Sequence, residues 1–318
     1  IQISDITKFK GGQSNPTYLV ETNINNFVLR RKPPGKLLKS AHAVDRECRV
    51  MTALHDTDVP VPKTFGYCDD ETVIGTSFFI MYHVIGNTYW ELLLPGCDPN
   101  QRREIYLSMN DTIAKLHNVD FDKVNLADYG KHENYMDRQI HRWTKQYKDS
   151  ETQMIPEINE LIEWLPKNIP SDQETTIVHG DFRLDNMIFD PITHEVKAIL
   201  DWELSTLGNP IADFTYHMMS WRLPAGAKGL VMMGSDLKSL NIPSENEYAE
   251  LYYKKTGREK IDNWDFYMAY NIFRLAGIAQ GIVGRVRDGT ASSSEAKNYE
   301  AFVPILGKLG WSIVEGIK

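Results

Sequence analysis

Hydrophobic positions recur with two different periods along the chain. In the first eighty-odd residues they sit in short β-branched and aromatic runs. "NPTYLVET" and "NNFVLRRK" flank the turn material Thr22 to Asn26 and predict a hairpin. "KTFGYCDD" and "TSFFIMYHVIG" predict two further strands. Between the two pairs, "SAHAVDRECRVMTALHD" carries Val44, Met51 and Leu54 with Arg46 and Glu47 between them, the pattern of an amphipathic helix. Past Gly86 the period becomes helical. Residues from about 99 to 118 bring Ile105, Met109, Ile113 and Leu116 to one face, and helices are also predicted over 134–148 and 154–166, the last stopped by Pro166. Two short apolar runs, "IVHGDFRLDNMIFD" and "HEVKAILDWE", interrupt this region as an extended pair joined by "DPIT", and helices resume at Pro210. The order predicts an α+β chain: a small antiparallel β lobe with one helix over residues 1–85, then a larger, mainly helical lobe over residues 86–318.

Composition narrows this little. The 318 residues are 42% hydrophobic and 25% charged, ordinary for a globular protein that buries a sizeable core. A net charge of −8 argues against nucleic acid as a partner. Cys48, Cys68 and Cys97 show no CxxC spacing and are too few for a disulfide framework, which points to a reducing, intracellular compartment. The longest late apolar stretch, "MAYNIFRLAGIAQGIVG", is interrupted by Arg274 and Gln280, so no membrane span is expected. A start at Ile1 rather than Met leaves a longer parent polypeptide open, and the lack of a leader carries no weight.

The polar bend inside "IVHGDFRLDNMIFD" is the chemical question. Gly, Asp and Asn are ordinary turn formers. Spacing says more. Asn186 follows Asp181 by five positions, and a hairpin over about 187–200 would return Asp201 to Asn186. An amide oxygen beside a carboxylate is a hard-ligand pair suited to Mg²⁺. Asp181, just ahead, would then lie beside a metal-bound phosphate, where a general base or hydroxyl-orienting group belongs. Asp185 is expected to face solvent or cap the turn.

"HGDFRLDN…LDWE" resembles the catalytic loop and following metal-binding Asp of protein-kinase-like phosphotransferases, and its Gly180 makes it most similar to the aminoglycoside phosphotransferase branch. The likeness runs through "GGQSNPTYLV", "VLRRKPPG", "DRE", "RQIHRWTKQY", "LDWELSTLGNPIAD" and "FRLAGIAQGIVGR". Together these resemble the N-terminal kinase-like domain of multidomain acyl-CoA dehydrogenases and stand-alone bacterial relatives that phosphorylate 4-hydroxyacyl-CoA. The resemblance implies a bilobal kinase-like fold, ATP and Mg²⁺ as cofactors, and a CoA thioester as acceptor. It implies roles as well. Asp181 would orient or deprotonate the acceptor hydroxyl, Arg183 would place a cation near the transferring group, and Asn186 with Asp201 would hold the metal. His179 would brace the loop, and Asp213 would steady it from a helix. Arg30 would take the place of the strand lysine that touches the phosphates, and Glu47 that of its helix partner. Arginine there is a departure, because a planar bidentate cation does not replace lysine freely. "GGQSN" is a second departure, standing where a Gly-rich loop would be, with Ser14 and Asn15 as donors to phosphate. "FIMYHV" resembles the adenine-reading hinge, with His83 and Val84 as contacts.

For the acceptor, the resemblance points to Trp143, Arg274 and Gln280. Arg138, Arg142 and Lys145 share a helical face, and so do Arg274 and Arg285. These cations suit either the phosphates of CoA or the chain's own carboxylates. Gly277, Gly281 and Gly284 read as a stripe for close helix packing. An aminoglycoside-like or other small-alcohol kinase is the alternative enzyme, and a nucleotide-binding pseudokinase module of a fused or associated dehydrogenase is the alternative without catalysis. The family's fatty-acid context implies mitochondrion or peroxisome in a eukaryote and cytoplasm in a bacterium.

Overall fold

The computed structural model describes residues 1–9, 15–33, 43–171, 174–224, 232–260, 263–289 and 298–317. The fold is α+β. Its larger sheet is formed by β1 (Ile3–Lys8), β2 (Thr17–Thr22), β3 (Asn26–Arg31), β4 (Thr64–Cys68) and β5 (Phe78–Tyr82), in the antiparallel order β1-β2-β3-β5-β4. The hairpin β2–β3 is closed as its residues dictate: the Thr22 hydroxyl accepts from the amides of Ile24 and Asn25 at 3.3 and 3.2 Å. The helix α1 (Val44–Leu54) buries Val44, Cys48, Val50, Met51 and Leu54 and packs on β4 and β5, with Phe79 and Met81 of β5 in the same core.

Contacts gather the chain into two compact units. The first joins residues 1–129 to 179–206 and 239–243; the second comprises 130–178, 207–238 and 244–318. Besides the sheet, α1 and the one-turn α2 (Glu71–Ile74), the first unit holds α3 (Pro99–His117) and a hairpin of β7 (Met187–Phe189) with β8 (Val196–Ile199). α3 starts with a capping box in which Asp98 accepts from the amides of Asn100 and Gln101. The hairpin is anchored on both sides: Val196 N–H donates to Ser108 of α3 at 2.8 Å, and Ile199 N–H donates to Pro60 O at 2.9 Å. Asp190 closes its turn by accepting from Ile192 and Thr193 amides.

The second unit contains α4 (Tyr135–Ser150), α5 (Pro156–Trp164), α6 (Pro210–Met218), α7 (Glu245–Thr256), α8 (Trp264–Arg287) and α9 (Asn298–Ile317). β6 (Thr176–Val178) pairs with β9 (Thr206–Gly208) beside them. α8 is the centre of this unit, packed by α4, α6 and α9. That explains its composition: a helix apolar on nearly every side must be buried all round, and α8 buries residues from Phe266 to Gly284. Its glycines permit the approach of α4. A methyl group at Gly284 would stand 2.8 Å from Ser150 Cβ, and one at Gly277 would touch the Trp143 ring at 3.5 Å. Among the described residues no helix is long and apolar enough to cross a membrane.

Two features carry no sequence signal of the kind read above. β1 is exposed along its whole length, so it shows no alternation that would announce a strand. β6 and β9 are three residues each, too short for a period.

Candidate active site

The polar bend leaves β6 and enters β7 through Gly180, whose φ of +81° belongs to the left-handed region. A side chain there would meet Leu204 O at 2.6 Å, so both backbone angle and space call for glycine. His179, fully buried, ties the bend to the strand that delivers Asp201. Its Nε2–H donates to Leu200 O at 2.9 Å, which leaves Nδ1 to accept from the Asp181 amide at 3.2 Å. Its ring lies 4.7 Å from that of Trp202.

Asn186 bonds back across the bend. Its amide nitrogen donates to Asp181 O at 2.9 Å and to Asp181 Oδ2 at 3.1 Å. The hairpin then brings Asp201 back beside it. Met187 pairs with Ile199, and Leu200 N–H donates to Asn186 O at 2.8 Å. Asp201 itself adopts φ 62°, a left-handed kink that swings its carboxylate out of line with β8.

Arg30, on β3, meets this carboxylate. Its Nη2 lies 2.5 Å from Asp201 Oδ1, its Nε 2.9 Å from Glu47 Oε2, and Nη1 donates to Thr17 at 3.3 Å. Burial, the largest single effect on Arg30, works against its charge, but Glu47 and Asp201 outweigh it and hold the guanidinium above its ordinary value. Glu47 is buried, contrary to a solvated polar face on α1, and its carboxyl is pushed up to about 7. Burial dominates that rise, Asp201 and Glu203 add to it, and Arg30 opposes it. Glu47, Asp201 and Glu203 have carboxylate oxygens within 4.8 Å of one another. An all-oxygen donor set of this kind fits a hard divalent cation such as Mg²⁺.

α1 is held against the Asp201 loop by contacts that sequence reading did not single out. Arg46 lies over the Tyr129 ring at 4.2 Å and donates to Tyr129 O at 2.7 Å and Ser205 O at 3.3 Å. Tyr129 OH is 2.6 Å from Ser205 Oγ. The Arg30–Glu47 pair is therefore tied to the Asp201 loop through the helix that carries Glu47.

The remaining predicted residues separate into groups. Arg183 lies 4.0 Å from Asp181 and forks onto Asp185, with Nε 3.0 Å from Oδ1 and a second, shorter contact through Nη2. Asp185 thus orients Arg183 instead of facing solvent. Asn15 is buried and donates to Glu47 Oε1 at 2.8 Å, so its amide braces the acid. Ser14 lies outside the described residues. At the hinge, His83 N–H is engaged by Asn26 O at 3.1 Å, whereas Val84 makes no hydrogen bond among the described residues. The chain just beyond pairs with the β7–β8 hairpin: Asn87 and Phe189 exchange backbone bonds of 2.8 Å, and Gly86 is packed against Phe189 O too closely for a side chain.

Trp143 and Arg274 meet in the second unit. The Arg274 guanidinium lies 5.4 Å from the Trp143 ring and 4.2 Å from that of Tyr216, and Arg274 is only 6% exposed. Gln280 lies farther along α8, where its amide donates to Ser150 O at 2.6 Å and Thr152 at 3.1 Å, bracing the end of α4.

Comparison with known proteins gives the family and the fold. The profile of the phosphotransferase enzyme family (APH) matches residues 5–249. Mouse acyl-CoA dehydrogenase family member 10 is 44% identical over 96% of the chain, and human acyl-CoA dehydrogenase family member 11 is 40% identical over 96%. The chain spans only 29% and 39% of those two proteins. Among solved structures, a putative aminoglycoside phosphotransferase from Ralstonia eutropha shares 47% identity with a TM-score of 0.91, over 99% of this chain and 93% of that one. An aminoglycoside phosphotransferase solved with ADP and hygromycin B, 11% identical, shares the fold at a TM-score of 0.64, over 98% of this chain and 95% of that one.

Proposed function

We propose, from the premise that this chain belongs to the phosphotransferase enzyme family, that it moves the γ-phosphoryl group of Mg-ATP to the hydroxyl of 4-hydroxyacyl-CoA. The observation that carries the chemistry is the run of contacts from Asp181 through Asn186 and from Asp201 through Arg30 to Glu47. In-line phosphoryl transfer needs positioning and charge neutralisation above all. Asp181 accepts the proton of the acceptor hydroxyl as its oxygen bonds to the γ-phosphorus, and the bond from phosphorus to the bridging oxygen of ADP breaks. Arg183, held by Asp185, stands ready to face the charge that develops on the transferring oxygens. Asn186 Oδ1 and the Asp201 carboxylate are the ligands for Mg²⁺, which supplies charge neutralisation to the phosphates. Arg30 clamps the phosphates from the sheet side, and Val84 offers its free backbone to the base. Residues 1–85 serve the nucleotide, and residues 86–318 the catalysis and acceptor.

The acceptor class rests on the relatives, which are named acyl-CoA dehydrogenases, and on the cationic and aromatic pair of Arg274 and Trp143. A fused or associated dehydrogenase domain follows from the same names. The test is ADP release, measured by a coupled assay, with 4-hydroxyacyl-CoA and with an aminoglycoside as competing acceptors. The proposal expects release that depends on the acyl-CoA. Release with the aminoglycoside alone would replace the acceptor, and nucleotide binding without release on any hydroxyl would overturn catalysis.

A further inference from the structure

A basic groove lies between α4 and α8. Its volume is about 420 Å³, and Arg142, Lys145, Arg285 and Arg287 line it against two carboxylates, Asp149 and Asp288. Small-molecule sites typically measure ~300–1,000 Å³. Four cations against two acids give a local excess of positive charge in a chain whose net charge is −8. Part of that charge is already paired: Lys145 reaches Asp149 at 2.6 Å, and Arg287 reaches Asp288 at 2.8 Å. Both pairs are solvent-exposed, and exposed pairs are weak enough for a multiply charged anion to displace. Arg142 forms no ion pair among the described residues. Its guanidinium lies 5.3 Å from the same Trp143 ring that Arg274 approaches from its other neighbours.

The floor of the groove is built for close approach. Gly281 and Gly284 line it, and a methyl group on Gly281 would stand 3.3 Å from Gln146 Nε2 and 3.8 Å from Arg285 Nη1. The glycines therefore bring α4 close to α8, so that the arginines of both helices line one cleft. Guanidinium groups recognise phosphate through paired, charge-assisted bonds.

We propose that this groove is an anion subsite that takes the phosphate-bearing nucleotide end of CoA, while Trp143 and Arg274 lie toward its acyl-bearing end. The proposal rests on the acyl-CoA reading of the acceptor. A nucleoside bisphosphate carries several phosphate charges, matching a cluster of cations better than a single carboxylate would.

The test combines a binding and a kinetic measurement on the full chain, wild type and R142E/R285E. Titration calorimetry uses CoA itself, which has no acyl hydroxyl and needs no turnover. Wild type is expected to bind CoA, with affinity that falls as salt rises, and the double variant to bind about 10- to 100-fold more weakly. Absence of CoA binding by wild type, or equal binding by the variant, overturns the subsite whatever the acceptor proves to be. The kinetic arm compares 4-hydroxyacyl-CoA with the matching pantetheine thioester, which lacks the nucleotide. Wild type is expected to favour the CoA ester in KM, and the variant to lose that preference. A variant that keeps the wild-type preference, or a wild type that phosphorylates both esters with equal KM, overturns the groove and leaves the acceptor reading intact. Wild-type failure on both esters overturns the acceptor reading, and the calorimetry then decides the subsite alone.

Discussion

The catalytic bend and the α4–α8 face both concentrate charge, but they hold it in opposite ways. Around Asp181 each polar group is fixed by a backbone partner or a buried neighbour. His179 spans Leu200 and Asp181, Asn186 bonds back to Asp181, and Arg30 is clamped between Glu47 and Asp201. On the α4–α8 face the ion pairs are exposed, and the helices are spaced by glycines. The difference fits the work proposed for each region. Phosphoryl transfer tolerates little displacement of its groups, whereas a flexible polyanion is held by several cations, none of which must sit to a fraction of an ångström.

The comparison breaks first at Asp181. If it is the base, Asp181→Ala lowers turnover by roughly 10²–10⁴ while leaving the fold intact by circular dichroism. Near-normal turnover in a coupled assay would reduce the bend to a structural turn. Asp201→Ala comes next. Removing the carboxylate takes away the proposed metal ligand and one of the acids that hold Arg30, so Mg·ATP affinity is expected to fall about tenfold or more. Unchanged affinity by calorimetry would detach Asp201 from the metal.

A smaller effect comes from a buried histidine of the second unit. His179 uses both ring nitrogens inside the bend, whereas His217 of α6 contacts Tyr248 OH at 3.0 Å. Burial lowers the His217 pKa to about 4, against a modest opposing pull from Asp213. Its folded value lies below its unfolded one, so the unfolded chain binds more protons between about pH 4 and 6.5. Stability of the second unit is then full above pH 6.5 and falls as the pH drops through that window, by at most roughly 3 kcal/mol. Denaturant melts of wild type and His217→Gln across pH 4–7 measure the term. An equal pH slope in both proteins would remove His217 as its source.

What the sequence disclosed follows the range of the interactions. Hairpin β2–β3, helix α1 and helix α3 are written in local periods and caps, and their positions match the pattern. Asp181, Asn186 and Asp201 are linked by one short hairpin, so their spacing alone predicts their approach. The pairing of Asp185 with Arg183 is not legible in the sequence, because nothing local says that Arg183 folds back on it. The brace of Arg46 on Tyr129 joins segments more than eighty residues apart, which no window of sequence contains. The family resemblance points to Gln280 as an acceptor contact, yet its amide is spent on Ser150 across a helix pair that only tertiary packing creates.

The central claim is that the bend transfers phosphate to the hydroxyl of a 4-hydroxyacyl-CoA. Mass spectrometry of that thioester after incubation with Mg·ATP and the protein tests it most directly. The account expects one added phosphate on the acyl chain with wild type and essentially none with Asp181→Ala over the same interval. An unmodified thioester with active wild-type protein, or equal phosphorylation by both, would contradict it.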